Sequence, residues 1–564
     1  MADPRRGRKG SKAQTAPRTR AEETDYQETS RHADVIAFCD ALAAQSPLVH
    51  RTSIGKSGEG QDMVALVLSD RKAFTPELAR KQKKAIVMIE ANIHAGEVEG
   101  KEEVLALARN LALTSAGKDI LDRICLVLVP DFNPDGNDRI SPANRRLNLA
   151  ELEGQVNPPG GVGTRYTGEG WNLNRDNMKQ EAPETRNLAR FHQQFWPDLF
   201  IDCHTTDGSL HGFDLTFDCP HGNDALFAPV RDFNRALLED VRKKVEKRHG
   251  VTSFWYGNFI DENDPRSGWH TYPALPRFGA HYRGLLGRLD VLLETYSYLP
   301  FKRRCEVIGA WLFELCRYAA RNASEILSVT RDAERELGDE SGRDPRALLG
   351  IDFGVAKRAE DGALRFDYPA FAARGDVADI ASFDQPSLAR RSYPGKKKVR
   401  YKVAHYRTFV PTTAVRLPYA YVAPAVLADR LLAHGIAFEA LAAEQELATE
   451  SYLVLAREET FSPDVAAVVP PIGQAEVPLS ERPKPVRFET VLTVRAEKRR
   501  VQVPAGSLIV PTAQRAGVLA AYLLEPHSDD GFARWQFLDE LIQVGKLHPV
   551  HRLLSAPTPR TKAE

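Results

Sequence analysis

The chain has 564 residues, too many for one compact hydrophobic core, so two or three domains are expected. Hydrophobic residues make up 43% of the sequence and charged residues 27%, which excludes a wholly disordered chain, a collagen-like fibre and a disulfide-dense mini-protein. Lysine and arginine total 76, as do aspartate and glutamate, so the chain has no net field to hold nucleic acid or an anionic membrane. No run of uncharged apolar residues approaches the roughly 18 of a spanning helix. We therefore expect a soluble globular protein with neither a nucleic-acid nor a membrane partner, and the oligomeric state stays open.

The N-terminal segment, residues 1–25, is basic and polar, which predicts a solvated, disordered tail. No apolar segment follows it, as a secretory signal requires, so we expect a cytoplasmic protein. Export is the alternative if the true start site lies elsewhere.

From residue 26 to about 340, buried apolar strands alternate with amphipathic helices. The predicted strands are 64–68, the run ending at His94, 124–130, 198–204 and 289–294. The predicted helices are about 99–113, 183–195, 225–249 and a long one from 301 past 320, and a long polar loop covers 139–170. This alternation predicts an α/β domain with a mixed, largely parallel sheet flanked by helices, whose active site lies beyond the carboxyl ends of the strands.

A polar linker at about 337–346 separates this domain from a second one at 350–556. Short β-like runs there mix with two helical pieces, VLADRLLAHG and FARWQFLDELIQV, which predicts an α+β domain. Its lysine run at 396–398 and its acidic motif HSDD at 527–530 indicate no mechanism, so we expect a structural or substrate-shaping role. The six cysteines include no CxxC pair, and buried free thiols are expected for most of them.

The sharpest local motif is HAGE at 94–97, directly after a buried strand. Across a tight turn, which Gly96 permits, the side chains of His94 and Glu97 can point at one metal ion. A surface ion pair is the alternative interpretation, and the position at a strand end favours the metal.

Hydrolytic zinc takes three protein ligands and keeps one position open for water. His204 is the best third ligand, because it ends the apolar run LFIDCH and precedes a turn that exposes its side chain. His211 and His221 are rivals in segments that read as mobile loops.

Two further features point to substrate chemistry. In NLNRD at 172–176, the Arg175 guanidinium beside an amide suits a carboxylate, which arginine can hold by two parallel hydrogen bonds; a helix cap is the alternative. Glu294 closes the buried run LDVLLE and is either a helix cap or a general base, since burial raises a carboxyl pKa toward the working range.

In chain order these motifs resemble the zinc carboxypeptidase family, typified by carboxypeptidase A. The order is HxxE at 94–97, NPDG at 133–136, NRR at 144–146, NxNR at 172–175, and the strand-ending His204 and Glu294. The resemblance covers about residues 26–325. The stretches NLNRDNMKQEAPETR and DVLLETYSY are similar to a bacterial branch of the family with large C-terminal extensions.

The resemblance implies the zinc carboxypeptidase fold for residues 26–340 and one Zn²⁺ per chain. It implies that His94, Glu97 and His204 hold the zinc and that Glu294 is the catalytic base that activates water.

The resemblance also implies that Asn174 and Arg175 bind the substrate's terminal carboxylate. An arginine after NPDG would be catalytic by polarising the scissile carbonyl; Arg145 and Arg146 both fit this place, and we favour Arg145.

The family has a mobile tyrosine near its site, for which Tyr272 and Tyr282 are the candidates. We assign Tyr282 to substrate binding. The residue that sets side-chain specificity cannot be placed.

The implied activity is that of a zinc metallocarboxypeptidase, which hydrolyses the C-terminal amide bond of a peptide or peptide-like substrate with a free carboxylate. A zinc amidase or deacylase acting on cell-wall peptides or acylated amino acids is the alternative on the same fold. A non-catalytic binding protein is a third reading, which the presence of all three ligands and of Glu294 disfavours.

Overall fold

A computed structural model describes residues 15–223, 226–338, 348–353, 377–383, 398–407, 409, 411–462 and 488–556. The α-helices of these ranges are α1 (Arg20–Glu23), α2 (His32–Gln45), α3 (Pro76–Lys81), α4 (Glu99–Leu113), α5 (Lys118–Leu121), α6 (Pro134–Asn137), α7 (Pro183–Phe195), α8 (Ala228–His249), α9 (Gly279–Gly284), α10 (Phe301–Arg321), α11 (Ala323–Gly338), α12 (Ala428–Ala433) and α13 (Gly517–Leu524).

The β-strands are β1 (Val49–Lys56), β2 (Asp62–Leu68), β3 (Ala85–Ala91), β4 (Ile124–Val129), β5 (Leu199–Thr206), β6 (Leu215–Asp218), β7 (Ser253–Trp255), β8 (Asn258–Phe259), β9 (Trp269–His270), β10 (Leu289–Tyr296), β11 (Leu348–Asp352), β12 (Val377–Phe383), β13 (Lys398–Tyr406), β14 (Thr413–Arg416), β15 (Ala420–Ala423), β16 (Glu439–Ala440), β17 (Gln445–Phe461), β18 (Phe488–Val503), β19 (Leu508–Pro511) and β20 (Leu547–Leu553).

An eight-stranded mixed sheet of order β1-β2-β4-β3-β5-β10-β6-β7 forms the centre of the N-terminal part. Its middle strands β4, β3, β5 and β10 run parallel, whereas β2 and β6 join them antiparallel. Every residue of β3 is buried, and alternate side chains belong to different cores: Val87 and Ile89 share a core with residues of α4, α8 and α10, and Met88 shares one with residues of α7. Burial on both faces explains the continuous apolar runs, and the predicted mixed, largely parallel sheet flanked by helices is confirmed.

The C-terminal part is centred on a six-stranded antiparallel sheet of order β16-β19-β15-β20-β17-β18. A smaller sheet joins the two parts, because β13 pairs in parallel with β9. The domain limits 26–340 and 350–556 stay a prediction. Most of the predicted linker and the first two lysines of the run at 396–398 lie outside the described residues.

One helix predicted in the C-terminal part is wrong. The segment FARWQFLDELIQV forms successive turns, in which Trp535 and Leu538 are buried in the core, whereas Leu541 and Val544 are exposed. The helix of this region is α13, which lies just before it. All eight residues of α13 are buried, so its sequence lacks the polar face by which an amphipathic helix is recognised.

The predicted tail at 1–25 also needs correction. Residues 1–14 lie outside the described part of the chain, but α1 is ordered, and its Glu22 accepts hydrogen bonds from the Arg109 guanidinium of α4 at 2.5 and 2.7 Å. Because Arg109 lies 87 positions further along the chain, this contact cannot be recognised from the composition of the N-terminal segment.

The six cysteines are all buried and form no disulfide within the described residues, in agreement with the buried thiols predicted for most of them. Of the helices within the described ranges, none is both long and apolar enough to cross a membrane.

Candidate metal centre

The candidate site lies at one edge of the eight-stranded sheet, where β3, β5 and β10 are neighbours. His94 follows the end of β3, and His204 lies near the end of β5. In the parallel register of β5 and β10, Glu294 is the direct partner of His204. Because the carboxyl ends of parallel strands meet at the same edge, these residues lie close together although they are far apart in the sequence.

Glu97 reaches this site through a tight turn, in which its backbone N–H donates to the His94 carbonyl oxygen at 2.9 Å. Gly96 has no positive φ, so the turn itself does not require glycine. A Cβ at Gly96 would lie 2.4 Å from Cδ of Arg145 and 2.9 Å from the carbonyl oxygen of Gly163. The glycine therefore makes room for Arg145, which differs from the role that the sequence suggested.

His94, Glu97 and His204 form a buried group whose donor atoms all lie within 4.8 Å of one another. Glu97 Oε1 is 3.1 Å from Nδ1 of His94, and Glu97 Oε2 is 3.1 Å from Nδ1 of His204. Two imidazole nitrogens and one carboxylate are the donor set of a catalytic zinc site that keeps one position open. The residues present fit a zinc ion.

The ring nitrogens that face away from this group have polar neighbours. Nε2 of His94 is 3.2 Å from Oδ1 of Asn172, and Nε2 of His204 is 3.1 Å from Oδ1 of Asp202. Such neighbours fix the ring orientation and leave Nδ1 for a metal. The Thr205 backbone N–H donates to Glu97 Oε2 at 2.9 Å and holds the carboxylate in place.

Two of the three donors are in the protonation state that a metal ligand needs, and the third is not. Burial, together with the charge of Arg165, lowers the pKa of His94 to about 3, so this imidazole is neutral. Burial alone would raise the pKa of Glu97, but His94 and its other neighbours hold it well below its usual range. Burial alone would lower the pKa of His204, but Asp202 raises it well above its usual range, so metal binding must displace a proton there.

Two arginines lie against the Glu97 carboxylate. Nη1 of Arg145 is 3.1 Å and Nη1 of Arg165 is 3.6 Å from Glu97 Oε1, and Arg165 Nη1 is also 3.1 Å from Nδ1 of His94. The side chain of Arg146 is exposed, so the geometry favours Arg145 of the two predicted candidates. Sequence reasoning missed Arg165, because the loop that carries it has no periodic pattern.

These groups open into a cavity of about 650 Å³, which Asn174 and Arg175 also line; we call these two residues the recognition pair. Asn174 Oδ1 accepts a hydrogen bond from the Gly279 backbone N–H at 3.0 Å. The Arg175 guanidinium carbon lies 4.4 Å from the ring centre of Phe278, and its Nη1 donates to the Asn174 carbonyl oxygen at 2.9 Å. These contacts hold the guanidinium at the cavity surface.

Tyr282 does not line the cavity, so its prediction as a substrate-binding residue is wrong. Its hydroxyl is 2.9 Å from Nδ1 of His434, because α9 directs this side chain toward the C-terminal part. The alternative, Tyr272, does line the cavity, and its ring stacks on His281 with centroids 4.7 Å apart. Tyr256, which the sequence did not single out, also lines the cavity.

Glu294 lines the cavity beside the donor group. Burial raises the pKa of Glu294 to about 8, with His204 opposing the rise and Glu97 adding to it. A carboxyl group with this pKa can exchange a proton at neutral pH. Since β10 continues to Tyr296, Glu294 is not at a helix start, and the alternative role as a helix cap is not supported.

The two rival histidines lie outside the donor group. The ring of His211 stacks on Tyr296 with centroids 4.0 Å apart, and Nε2 of His221 is 2.9 Å from Oδ2 of Asp218. Both therefore have structural partners.

Comparison with known proteins agrees with this geometry. Residues 35–263 match the family model described as zinc carboxypeptidase, a span that includes the three donors but ends before Glu294. Carboxypeptidase 2 of Trichophyton equinum is 22% identical over 523 residues, which cover 88% of this chain and 81% of that protein. Carboxypeptidase 2 of Trichophyton rubrum is 22% identical over 526 residues with the same coverage. Among solved structures, a metallo-carboxypeptidase from Burkholderia cenocepacia gives a TM-score of 0.36 at 20% identity, covering 51% of this chain and 69% of that one. The family resemblance inferred from the six motifs is confirmed.

Proposed function

We infer that this chain, of which residues 35–263 match the zinc carboxypeptidase family model, is a zinc metallocarboxypeptidase that hydrolyses peptides. The observation that carries the inference is the buried group of His94, Glu97 and His204, with Glu294 beside it in the same cavity. Three protein ligands with one open position suit metal-assisted hydrolysis, and a separate carboxylate can serve as its general base.

When bound, Zn²⁺ supplies a Lewis acid that polarises the scissile carbonyl and lowers the pKa of water. We propose that Glu294 accepts the proton of the attacking water and delivers it to the leaving amine, since it is a carboxyl group that lines the cavity beside the donors and is not itself one of them. The register with His204 places the Glu294 backbone beside the donors, on a strand and not on a loop.

The arginines complete the proposed mechanism. Arg145 is the favoured residue to stabilise the negative charge that develops on the carbonyl oxygen, because its guanidinium lies beside the donor group. Arg165 is placed to assist it. The recognition pair would bind the free C-terminal carboxylate of the peptide, which fits the planar guanidinium of Arg175.

A comparison of two buried histidines tests the metal assignment. His204→Ala should lose zinc and peptidase activity together, because a three-ligand site has no spare donor. His211→Ala, the matched control, should keep its zinc, because His211 lies outside the donor group. Elemental analysis that finds full zinc in a folded His204→Ala protein would remove His204 from the site.

The choice of substrates tests the reaction. The wild-type protein should cleave peptides with a free C-terminal carboxylate much faster than the same peptides as C-terminal amides. Equal rates on both would favour the amidase or deacylase alternative.

A further inference from the structure

Arg277, which lines the cavity, is hydrogen-bonded by residues of the C-terminal part of the chain on the side that faces away from the cavity. Arg277 is buried, and Asp530 accepts a hydrogen bond from its backbone N–H at 2.6 Å and another from its Nε at 3.1 Å. Glu489 Oε1 accepts from Arg277 Nη1 at 2.7 Å. Two carboxylates from the other half of the protein thus fix both the backbone and the side chain of this wall residue. One of them, Asp530, ends the HSDD motif to which the sequence assigned no mechanism.

A buried tryptophan lies next to these carboxylates and contacts two cations. The ring centre of Trp535 is 4.5 Å from the Arg277 guanidinium carbon and 4.4 Å from Nζ of Lys179. Its Nε1–H donates to Asp530 Oδ1 at 2.8 Å. Cation–π contacts that are desolvated in this way are stronger than exposed ones. Trp535 therefore joins two segments of the N-terminal part, one at Lys179 and one at Arg277.

Both segments contact the recognition pair. On one side, Lys179 Nζ donates to the backbone carbonyl oxygen of Arg175. On the other, Arg277 is followed directly by Phe278, on whose ring the Arg175 guanidinium stacks, and by Gly279, whose N–H binds Asn174 Oδ1. A shift of either segment would change the position of the pair.

The two segments are also tied to each other, since Asn177 Nδ2 donates to the Arg277 carbonyl oxygen at 3.0 Å. Asp530 and Trp535 are almost fully buried and do not line the cavity. They act behind the wall and cannot touch a substrate in the cavity.

We propose that the C-terminal part positions the recognition pair, with Asp530 and Trp535 holding Arg277 and Lys179 in place. The proposal rests on the proposed function, in which that pair binds the terminal carboxylate of the peptide. Asp530 and Trp535 are positioning residues, and their loss should weaken the recognition of the carboxylate while leaving the metal donors and Glu294 intact.

Asp530→Asn tests the proposal, with Glu525→Gln as the matched control. Glu525 is an equally buried acid five positions earlier, but it accepts hydrogen bonds from Tyr421 and Tyr452 at 2.6 and 2.8 Å in the C-terminal sheet. Both variants should lower the melting temperature, because each loses a buried charge that is hydrogen-bonded. Only Asp530→Asn should raise KM for peptides with a free C-terminal carboxylate, by about 10- to 100-fold, as expected when a substrate-positioning group is displaced.

In Asp530→Asn, zinc content and kcat should stay close to those of the wild type, and the rate on C-terminal amides should change little. Binding of N-acetylated amino acids, measured by calorimetry, should weaken in parallel with the rise in KM. Trp535→Phe keeps a ring at the same place but loses the hydrogen bond to Asp530, so we expect a smaller change in the same direction. This milder variant keeps the proposal testable if Asp530→Asn does not fold.

Equal losses on free acids and amides in Asp530→Asn, matched by Glu525→Gln, would show a purely structural role and overturn the proposal. An unchanged KM in folded Trp535→Phe and Asp530→Asn would do the same. A wild-type protein without any preference for the free carboxylate would instead refute the substrate class under the proposed function. A wild-type preference that survives in both variants refutes the positioning role alone.

Discussion

The ion pair between Glu489 and Arg277 predicts a defined dependence of stability on pH. Glu489 is 4% exposed, and its second oxygen, Oε2, accepts from Nε of Arg534 at 2.6 Å. Burial alone would raise the pKa of Glu489, but Arg277 and Arg534 hold it at about 2, against an ordinary value of 4.5. At about 1.4 kcal/mol for each pH unit, this difference corresponds to about 3 kcal/mol of folding stability at pH 7.

Glu489→Gln should therefore lower the free energy of unfolding by about 3 kcal/mol at pH 7. The folded-state pKa lies below the unfolded one, so this contribution is complete above about pH 4.5 and is lost as the pH falls toward 2. The difference in stability between wild type and variant should be constant from pH 7 to pH 5, smaller at pH 3 and close to zero at pH 2.

Urea unfolding followed by tryptophan fluorescence at pH 7, 5, 4 and 3 measures this difference. Glu459→Gln is the matched control, because Glu459 is an exposed acid whose contact with Arg457 spans 3.5 Å, and exposed pairs of this kind contribute little. A difference between wild type and Glu489→Gln that stays the same at pH 7 and pH 3 would refute the assignment of this stability to the Glu489 charge.

Three further variants test the site. Glu294→Gln should keep its zinc and lose about 100- to 10,000-fold in turnover, the contribution of a positioned acid–base group; a zinc-loaded variant with normal turnover would contradict the role of the base. Arg175→Ala should lower kcat/KM about 10- to 100-fold for peptides with a free carboxylate and hardly at all for the matched amides, since it removes charge-assisted hydrogen bonds; equal losses would argue against recognition of a C-terminus. Gly96→Ala should lower turnover, because its Cβ would lie 2.4 Å from Cδ of Arg145 and 2.9 Å from the Gly163 carbonyl oxygen, so that Arg145 or the neighbouring backbone must move; full activity would show that the space at Gly96 is not needed.

Most of the residues that meet at the candidate site could be predicted from the sequence because strand ends are visible in it. Buried parallel strands appear as apolar runs, and His94, His204 and Glu294 each stand at or near the end of one. When such strands are neighbours in one parallel sheet, their carboxyl ends lie at the same edge. The residues that follow these ends therefore lie close together. The limits of α4 and α7 were predictable for a similar reason, since each helix has a regular apolar face.

The features that were not predicted depend on contacts between distant segments. Tyr272 and Tyr282 lie ten positions apart in similar surroundings, and only the course of α9 shows that one faces the cavity and the other faces His434. Arg165 comes from a loop without periodicity. The contact between Asp530 of the HSDD motif and Arg277 could not be predicted, because the two residues are 253 positions apart in the chain.

The same separation has a consequence during protein synthesis, which runs from the N-terminus to the C-terminus. The sheet that carries the metal donors is complete once β10 has been made, but Arg277 then has none of its C-terminal carboxylate partners. At about 5 to 20 residues per second, the ribosome needs roughly 13 to 50 seconds to travel from Arg277 to Asp530. Until then Arg277 lacks the two carboxylates that fix it in the folded protein, so the strands that carry the candidate metal donors are complete before the contacts that hold this part of the cavity wall can form.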